Sequence, residues 1–520
     1  MLWLALHLPL LSLEAFGATL APAARARPAA LIAENVVCAV NAAAAARGLR
    51  PGIRRATALA LAADLLLAES DTTRDAAALQ AVVHAALAFT PMVALQDGQT
   101  VLLEVQASLR LFGGLAALRQ QLLDALAPLG HRVQMAAAPT ALGSALLAQW
   151  APAGRGDLVL GAQATHLPAL QALLDAAPVG LLGAGREHQE ALQGMGLNTL
   201  AELRALPRGG LARRFGEGLL DEFDRACGRK PDPRLALEPT PTFDSRLELH
   251  ARADNAAQLL HAGALLLARL LAWARARQAR VAGFTLRMLH ERHRDAPVPA
   301  TELHVALAEP SLDPAHLQLL LRERLARLTL AAPTLELQLH CSRLATGAAP
   351  NGELFPSAAG AAEGLLRLLE RLRARLGDDQ VLRLVAVADH RPERASCAVP
   401  ALGGGHAGGP GGVQGGAKEG PPAPSALPLH RPAWLLPTPQ PLAEREAQPL
   451  FEGRPLQLLS GPERIETGWW DGDLAVRDYF IAQAADGALL WVYRGRLSAD
   501  AVGLAASAAA ANWFLQGRFG

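Results

Sequence analysis

Hydrophobic and polar positions in the first third of the chain follow two periods. Short apolar runs such as VLLEVQASLRLF (101–112) are typical of strands, whereas LAALRQQLLDALAPLG (115–130) repeats leucine every three or four positions and predicts a helix that ends at Gly130. Farther along, HAGALLLARLLAWARARQAR (261–280) carries arginines at helical spacing, so it predicts an amphipathic helix and not a membrane span. Strand-like runs therefore alternate with alanine-rich helices in this part of the chain.

The opening stretch, MLWLALHLPLLSLEAFGATLAPAARA (1–26), has two incompatible interpretations. A secretory signal places basic residues before its apolar core, but here the first arginine is Arg25 and Glu14 interrupts the apolar run. We therefore favour a buried first strand followed by a helix. The four cysteines lie too far apart for a zinc site or a disulfide framework, which predicts a reduced, cytoplasmic protein. No later stretch has about 18 uninterrupted apolar residues, so no membrane contact is expected.

Composition changes along the 520 residues and indicates several domains. Residues 166–237 contain short helical segments separated by glycines, and residues 238–345 combine strand-like runs with two long amphipathic helices. A further helix is predicted over 358–376. The glycine- and proline-rich stretch 401–426 cannot form a packed core, and the tail from 430 to 520 holds five of the eight tryptophans and both tyrosines. The net charge of +1 excludes a uniformly basic protein but allows a local nucleic-acid surface.

The segment GAGREHQEALQGMGLNTLAEL (183–203) places four glycines at helix–turn junctions. Such turns resemble helix-hairpin-helix units, in which free backbone N–H groups contact a phosphate. Thr199 and Glu202 have the spacing of a capping box for the next helix. A plain helical bundle with glycine C-caps explains the pattern equally well, so both interpretations stay open. The candidate phosphate contacts are Gly183, Gly185, Gly194 and Gly196.

Several segments, taken in order, resemble the Y-family lesion-bypass DNA polymerases. They are NAAAAARGLRPGIRRATALAL (41–61), which is similar to the fingers, AAAPTALGSALLAQWA (136–151), which is similar to a palm helix, and the thumb-like stretch around 194–216. The tail segment RDYFIAQAADGALLWVYRGR (477–496) is absent from ordinary members and resembles a polymerase-like branch that acts in damage-induced mutagenesis.

The resemblance implies an α+β multidomain fold: a Y-family polymerase-like right hand with an added C-terminal interaction region. It divides the chain into a palm (1–20 and 75–165), fingers (21–74), a helix-hairpin-helix thumb (166–237), a little finger (238–345), a clamp-peptide and helical segment (346–400), a Gly/Pro-rich linker (401–429) and an aromatic-rich interaction region (430–520).

Active members of this family hold two Mg²⁺ ions with carboxylates on the palm strands. Alignment with the family places these positions on Ala5, Gln99 and Thr100, which cannot replace the carboxylates. Glu104 is the one family carboxylate that remains, and a shift to Asp97 does not restore an adjacent acidic pair. We therefore predict that the protein holds no metal and needs no cofactor.

The positions that hold the nucleotide triphosphate in the family are lost as well. They fall on Ala42, Ala45, Ala141 and Ala145. The protein is therefore predicted to be a pseudo-polymerase and not an enzyme. The alternative is an active Y-family lesion-bypass polymerase that uses carboxylates outside the family pattern.

A polymerase-like scaffold without catalysis can still bind primer-template DNA. On the thumb, Arg213 and Arg214 join the hairpin glycines as candidate phosphate contacts. In the little finger, Arg269, Arg277 and Arg280 are predicted to share one helix face, with a solvated helix face as the alternative.

The segment NGELF (351–355) resembles a peptide that binds the sliding clamp of DNA polymerases. Leu354 and Phe355 correspond to the apolar anchors of such a peptide, and Asn351 replaces the usual glutamine. QPLF (448–451) is a rival with unsuitable spacing.

The resemblance implies a non-catalytic adaptor for DNA-damage-induced (SOS) translesion synthesis and mutagenesis. Its expected partners are primer-template DNA, the sliding clamp (beta), an ImuA-like protein and an error-prone DnaE-type polymerase.

Overall fold

The computed structural model describes residues 1–150, 158–291, 299–346, 358–402, 431–432, 434–496 and 512–519. These residues form two compact units, 1–377 and 378–520. Each unit contains both its own sheets and its own hydrophobic core. The predicted α+β multidomain class is confirmed.

A five-stranded sheet with helices forms the palm-like part, and a three-stranded sheet inserted after the first helix forms the fingers-like part. Their elements are β1 (Trp3–His7), α1 (Leu11–Gly17), β2 (Ala29–Ala33), β3 (Val36–Val40), α2 (Ala42–Ala45), α3 (Arg55–Leu61), β4 (Leu66–Glu69), α4 (Thr72–Leu87), β5 (Val93–Asp97), β6 (Thr100–Glu104), α5 (Leu115–Leu126), β7 (Val133–Ala138), α6 (Ala141–Gln149) and β8 (Leu158–Gln163).

The opening stretch of the sequence supplies the central strand of the larger sheet, whose order is β5-β6-β1-β7-β8. Four of the five residues of β1 are buried, which is why this strand is apolar without alternation. The interpretation of this stretch as a first strand is thus confirmed. The predicted helix end is confirmed too, since α5 passes into a short 3₁₀ turn that Gly130 closes with a left-handed φ of 74°.

Six short helices follow and form the thumb-like part. They are α7 (Leu167–Asp175), α8 (Gly183–Glu187), α9 (Gln189–Gly194), α10 (Leu200–Ala205), α11 (Arg208–Phe215) and α12 (Glu217–Ala226). Their apolar faces share one core with β1 and α6, so the thumb-like helices pack directly on the palm-like sheet.

The little-finger-like part is a four-stranded antiparallel sheet covered by helices. Its elements, with the helix that follows them, are β9 (Phe243–Ala253), α13 (Ala256–Ala276), β10 (Ala279–His290), β11 (Thr301–Ser311), α14 (Pro314–Ala326), β12 (Thr334–Thr346) and α15 (Ala358–Leu376). The strand order is β11-β10-β12-β9, so β9 lies at an edge. By length and composition α13 is apolar enough to cross a membrane, but it forms the core of this layer, where Trp273 is fully buried.

The second unit is built from strands. It contains β13 (Leu382–Ala386), β14 (Ser396–Pro400), β15 (Trp434–Arg445), β16 (Gln448–Phe451), β17 (Arg454–Pro455), β18 (Gln457–Thr467), β19 (Ala475–Gln483), β20 (Leu489–Gly495) and β21 (Trp513–Arg518). β13 and β14 form a hairpin, and the others form an antiparallel sheet of order β17-β16-β15-β21-β20-β19-β18. Tyr479 stacks on Trp491 in its interior, with the ring centroids 4.3 Å apart.

The hairpin of β13 and β14 belongs to this second unit, although the sequence assigned it to the segment before the linker. The buried guanidinium of Arg391 explains the grouping. It bonds Asp389 beside it and, 80 residues farther along, Asp471 with an N–O distance of 2.6 Å. Glu393 of the same loop accepts a hydrogen bond from Gln516 of β21 at 2.9 Å. Most of the predicted linker, residues 403–429 of 401–429, lies outside the described residues.

Candidate functional site

The candidate catalytic edge of the palm-like sheet lies where β1 ends beside the β5–β6 turn. The residue of β1 that pairs with Thr100 is His7. Their side chains are joined, with 3.0 Å between His7 Nδ1 and Thr100 Oγ1. Burial lowers the pKa of His7, and the nearby charge of Asp97 opposes this shift. Sequence reasoning missed His7, because only the register across the sheet brings it to this position.

Ala5 lies elsewhere. It pairs with Leu102 on one side and Ala136 on the other, and it is fully buried in the sheet. Ala5 therefore lies two residues before His7, the residue of β1 that pairs with Thr100. Thr100 is fully buried, and the backbone carbonyl of Gln99 accepts a hydrogen bond from the Leu8 amide at 2.9 Å.

The two remaining carboxylates lie on neighbouring strands: Asp97 is the last residue of β5 and pairs with Thr100, the first residue of β6, whereas Glu104 is the last residue of β6. Asp97 sits at the β5–β6 turn and accepts hydrogen bonds from the Gln99 amide at 2.8 Å and from Gln149 Nε2 at 3.1 Å. Glu104 pairs with Trp3 and accepts from the amides of Leu2 and Gln106, each at 3.2 Å. Both acids therefore serve as local backbone or side-chain acceptors.

These residues do not fit a pair of Mg²⁺ ions. Thr100 and Glu104 are four residues apart on one strand, which is about 13 Å at the rise of a β-strand. The ions of a two-metal site lie about 4 Å apart and share their carboxylates, so Asp97 and Glu104 cannot serve one such site. Within the described part of the chain no group of three or more histidine, cysteine, aspartate or glutamate side chains is arranged to hold a metal ion.

Two of the four alanines at the nucleotide-holding positions are packing residues, and the other two, Ala42 and Ala45, are exposed. Ala141 and Ala145 of α6 lie in the core shared with the thumb-like helices, where a lysine in the same rotamer space would bury its charge. Ala42 and Ala45 form the ends of α2, a helix of one turn capped by Asn41. The triphosphate site of the family therefore has no counterpart among these side chains.

In the thumb-like hairpin the first pair of glycines is already occupied. The amide of Gly183 donates to Glu222 Oε1 at 2.8 Å, and the amide of Ala184 donates to Glu222 Oε2 at 3.1 Å. A carboxylate at a helix N-terminus is favourable because it satisfies free N–H groups. The prediction of a free Gly183 amide facing phosphate is therefore wrong. Gly185 is a packing position, since a Cβ there would lie 2.1 Å from the Val179 carbonyl oxygen.

The second pair of glycines supports a helix end. Gly194 is the last residue of α9, and Gly196 follows with a left-handed φ of 77° while its amide donates to the Gln193 carbonyl at 2.9 Å. The predicted capping box is confirmed, because Thr199 and Glu202 bond each other's backbone amides. Of the two interpretations of this stretch, these contacts favour the helical bundle with glycine C-caps.

The two thumb arginines remain available as surface charges. Arg213 and Arg214 lie side by side near the end of α11, and both are exposed. The guanidinium carbon of Arg214 lies 5.7 Å from the ring centroid of Phe215, and the Arg214 residue is exposed to solvent.

The three little-finger arginines do not share a helix face, so that prediction is wrong. Arg269 is 4% exposed and faces β9. Arg277 is the exposed C-cap of α13 and donates to the Thr240 carbonyl at 3.0 Å. Arg280 lies on β10, where it donates to the Pro310 carbonyl at 3.3 Å. Burial of the side chain lowers the pKa of Arg269 to about 10.

The predicted clamp peptide, with Asn351, Leu354 and Phe355, lies outside the described residues. The rival segment QPLF forms β16, which pairs with both β15 and β17. Phe451 is partly buried there and lies under the Arg518 guanidinium, 5.6 Å from ring centroid to carbon.

A tryptophan pair marks the surface of the second unit. Trp469 and Trp470 lie between β18 and β19 and are 72% and 56% exposed. Their rings meet edge to face with centroids 4.7 Å apart. Asp471 is the next residue of the same loop, and its carboxylate accepts hydrogen bonds from the Arg391 guanidinium. This exposed aromatic surface is therefore attached to an ion-paired support.

Comparison with known proteins finds similarity to one family in the first part of the chain. Residues 12–149 match the impB/mucB/samB family. The alignment with two individual relatives extends much farther. The chain is 29% identical over 497 residues to Protein ImuB from Caulobacter vibrioides, in strain NA1000 / CB15N and in strain ATCC 19089 / CIP 103742 / CB 15. The alignment covers 91% of this chain and all of that protein, so the predicted resemblance is confirmed.

Solved structures that align with the chain include Y-family polymerases. A ternary complex of Dbh is 13% identical, with 66% of this chain and all of that chain covered and a TM-score of 0.38. DinB from Sulfolobus solfataricus is 14% identical, with 67% of this chain and all of that chain covered and a TM-score of 0.37.

Proposed function

We propose that the protein is a non-catalytic, Y-family-like adaptor for DNA-damage-induced translesion synthesis. It binds primer-template DNA and the sliding clamp in the cytoplasm and recruits an error-prone polymerase. The observation that carries the proposal is the palm-like edge, where His7 and Thr100 bond each other. Asp97 pairs with Thr100 at this edge, and Glu104 lies four residues farther along β6, about 13 Å from Thr100.

The alternative of an active polymerase needs two ions at one place. Each divalent ion has to exchange part of its hydration shell for protein oxygens, and Mg²⁺ gives up water reluctantly. One carboxylate at the β5–β6 turn does not offset that cost for two ions. An adaptor, in contrast, needs only the scaffold and its surfaces.

Primer extension with the purified full-length protein, a primed template and either Mg²⁺ or Mn²⁺ tests the absence of catalysis. We expect no nucleotide incorporation by the wild type, nor by the Asp97→Asn and Glu104→Gln variants. Template-directed extension that disappears in Glu104→Gln or Asp97→Asn would establish the active polymerase instead.

Clamp binding is proposed through Leu354 and Phe355. Two features support the choice: the segment lies between the little-finger-like sheet and α15, and the rival QPLF is a strand inside a sheet. A clamp peptide has to be presented as an accessible segment, which a paired strand is not.

A pull-down with purified clamp compares two double variants. Replacing Leu354 and Phe355 with alanine removes both apolar anchors, and each such anchor commonly contributes about 2 kcal/mol, so binding should become undetectable. The matched change of Leu450 and Phe451 removes side chains of β16 and should leave clamp binding intact while it lowers the stability of the second unit. Retained binding by the first variant and loss by the second would mean that QPLF is the clamp peptide.

The second unit is proposed to recruit an ImuA-like protein and a DnaE-type polymerase. Support comes from the named ImuB relatives and from the exposed pair Trp469 and Trp470. Tryptophans are enriched among the side chains that dominate binding energy at protein interfaces.

A further inference from the structure

A cleft of about 710 Å³ lies in the first unit between α4, β4 and the little-finger-like strand β9. This volume lies within the range of ligand-binding pockets, about 300–1,000 Å³. Its lining includes every residue from Phe243 to His250, so the cleft follows one strand along both of its faces. The rings of Phe16 and Phe243 supply an apolar part of the wall.

Arg269 of α13 is the buried cation of this cleft. Its Nη1 donates to Ser245 Oγ at 3.2 Å and to the Arg246 carbonyl at 3.5 Å. A guanidinium has five N–H groups, and these two contacts leave three of them. No carboxylate of the described residues forms an ion pair with Arg269, and burial alone lowers its pKa. A buried charge without a counter-ion is unfavourable, so an anionic group entering the cleft would be stabilised here.

The edge of β9 offers a second kind of contact. β12 pairs with β9 on one side, and no strand of the described residues pairs with the other side. The Arg246 carbonyl bonds Arg269, and the His250 amide donates to the Thr19 carbonyl at 3.3 Å, so both point away from β12. Backbone groups alternate in direction along a strand. The amides and carbonyls of Asp244 and Glu248 therefore point to the same edge. The Arg246 carbonyl and the His250 amide are already bonded there, so Asp244 and Glu248 supply the backbone groups that an added strand would pair with.

The rim of the cleft is acidic. Five carboxylates line it, and they outnumber the two arginines of the lining that are not fully buried, Arg74 and Arg246. The carboxylates are Glu69, Asp71, Asp244, Glu248 and Glu336. A rim of this charge repels a polyanion such as a nucleic acid. The acidic rim attracts basic side chains of a ligand. The buried guanidinium of Arg269 binds one anionic group that lies between those basic side chains.

We infer that this cleft binds an extended peptide segment of a partner protein, which adds as a strand to the free edge of β9. An acidic side chain of the peptide bonds Arg269, and basic residues on either side of it meet the acidic rim. The backbone contacts give affinity, and the acidic side chain gives specificity, as in other cases of strand addition. The inference does not depend on the adaptor proposal.

The test uses the full-length protein and an array of immobilised, end-blocked peptides, each as long as the stretch 243–250 that lines the cleft. The peptides alternate valine and threonine, carry lysine at both ends, and have glutamate or glutamine at the fourth position. We expect the glutamate peptide to bind, and the glutamine peptide to bind roughly tenfold more weakly or worse, because one charge-assisted hydrogen bond is lost.

Two variants locate the site. Arg269→Gln should bind the glutamate and glutamine peptides equally. Glu248→Pro removes an N–H that points to the free edge and leaves the ladder to β12 intact, so it should abolish binding of both. Circular dichroism and thermal unfolding report whether each variant is folded. If Arg269→Gln does not fold, two measurements still test the inference: binding by Glu248→Pro, and the difference between the glutamate and glutamine peptides in binding to the wild type.

Three outcomes would overturn the inference. They are no binding of the glutamate peptide, equal binding of the two peptides by the wild type, and full binding by Glu248→Pro. A competing thymidine oligonucleotide provides a fourth: if it displaces the peptide and its own binding is lost in Arg269→Gln, the cleft is a nucleic-acid site.

Discussion

His84 of α4 should make the stability of the first unit depend on pH. Its side chain is 5% exposed, and burial lowers its pKa to about 4 from the ordinary value of 6.5. Because the folded-state pKa is lower than the unfolded one, the unfolded chain binds the proton more tightly. The stabilisation from neutral His84 is complete above about pH 6.5 and is lost as the pH falls toward 4.

The magnitude follows from the two pKa values. One unit corresponds to about 1.4 kcal/mol, so the whole shift is worth about 3 kcal/mol, and about 2 kcal/mol of it is lost by about pH 5. His84→Leu keeps an apolar side chain of similar size and removes the titration. We expect its free energy of unfolding to fall about 2 kcal/mol less than that of the wild type between about pH 7.5 and pH 5.

Urea unfolding of both proteins at the two pH values measures this difference, and an NMR titration of the His84 ring reports the pKa directly. Equal pH dependence in the wild type and in His84→Leu, or a ring pKa near 6.5, would refute the reasoning. His7, whose pKa burial also lowers, is present in both proteins and cancels in the comparison.

Two other predictions concern the thumb-like part. The protein should bind DNA weakly and without sequence preference, and replacing Arg213 and Arg214 with alanine should reduce the slope of log affinity against log salt by about 2; an unchanged slope in an anisotropy titration would exclude them as phosphate contacts. Gly185→Ala should destabilise the protein by about 1–3 kcal/mol in urea unfolding, because its Cβ would meet the Val179 carbonyl. Gly194→Ala is the matched control, since a Cβ there meets nothing within 4 Å, and equal stability of the two variants would contradict the packing role of Gly185.

Features that depend on local sequence were predictable. The apolar run of β1, the helix over 358–376 and the capping box of Thr199 and Glu202 each arise from residues close together in the chain, and the structure has all three. Propensity and capping act within one or two turns, so the pattern of residues already contains the information.

Contacts between distant segments could not be predicted. Glu222 reaches the Gly183 amide from 39 residues away, and His7 meets Thr100 only through the register of two strands. Arg280 was placed on a helix because ARARQAR continues the helical spacing without glycine or proline. The helix nevertheless ends at Ala276, since Gln278 adopts a left-handed φ of 51°, which a residue of this type does uncommonly.

The bonds from Arg391 and Glu393 to the strands after residue 434 mean that the second unit is assembled from two stretches of sequence. A protease cut anywhere in 403–430 would therefore leave both products bound to each other, and separation would need denaturant. A fragment that begins at residue 431 would lack Arg391 and leave Asp471 without its buried partner. A tail fragment intended for partner-binding studies should accordingly begin at residue 378, where the unit itself begins.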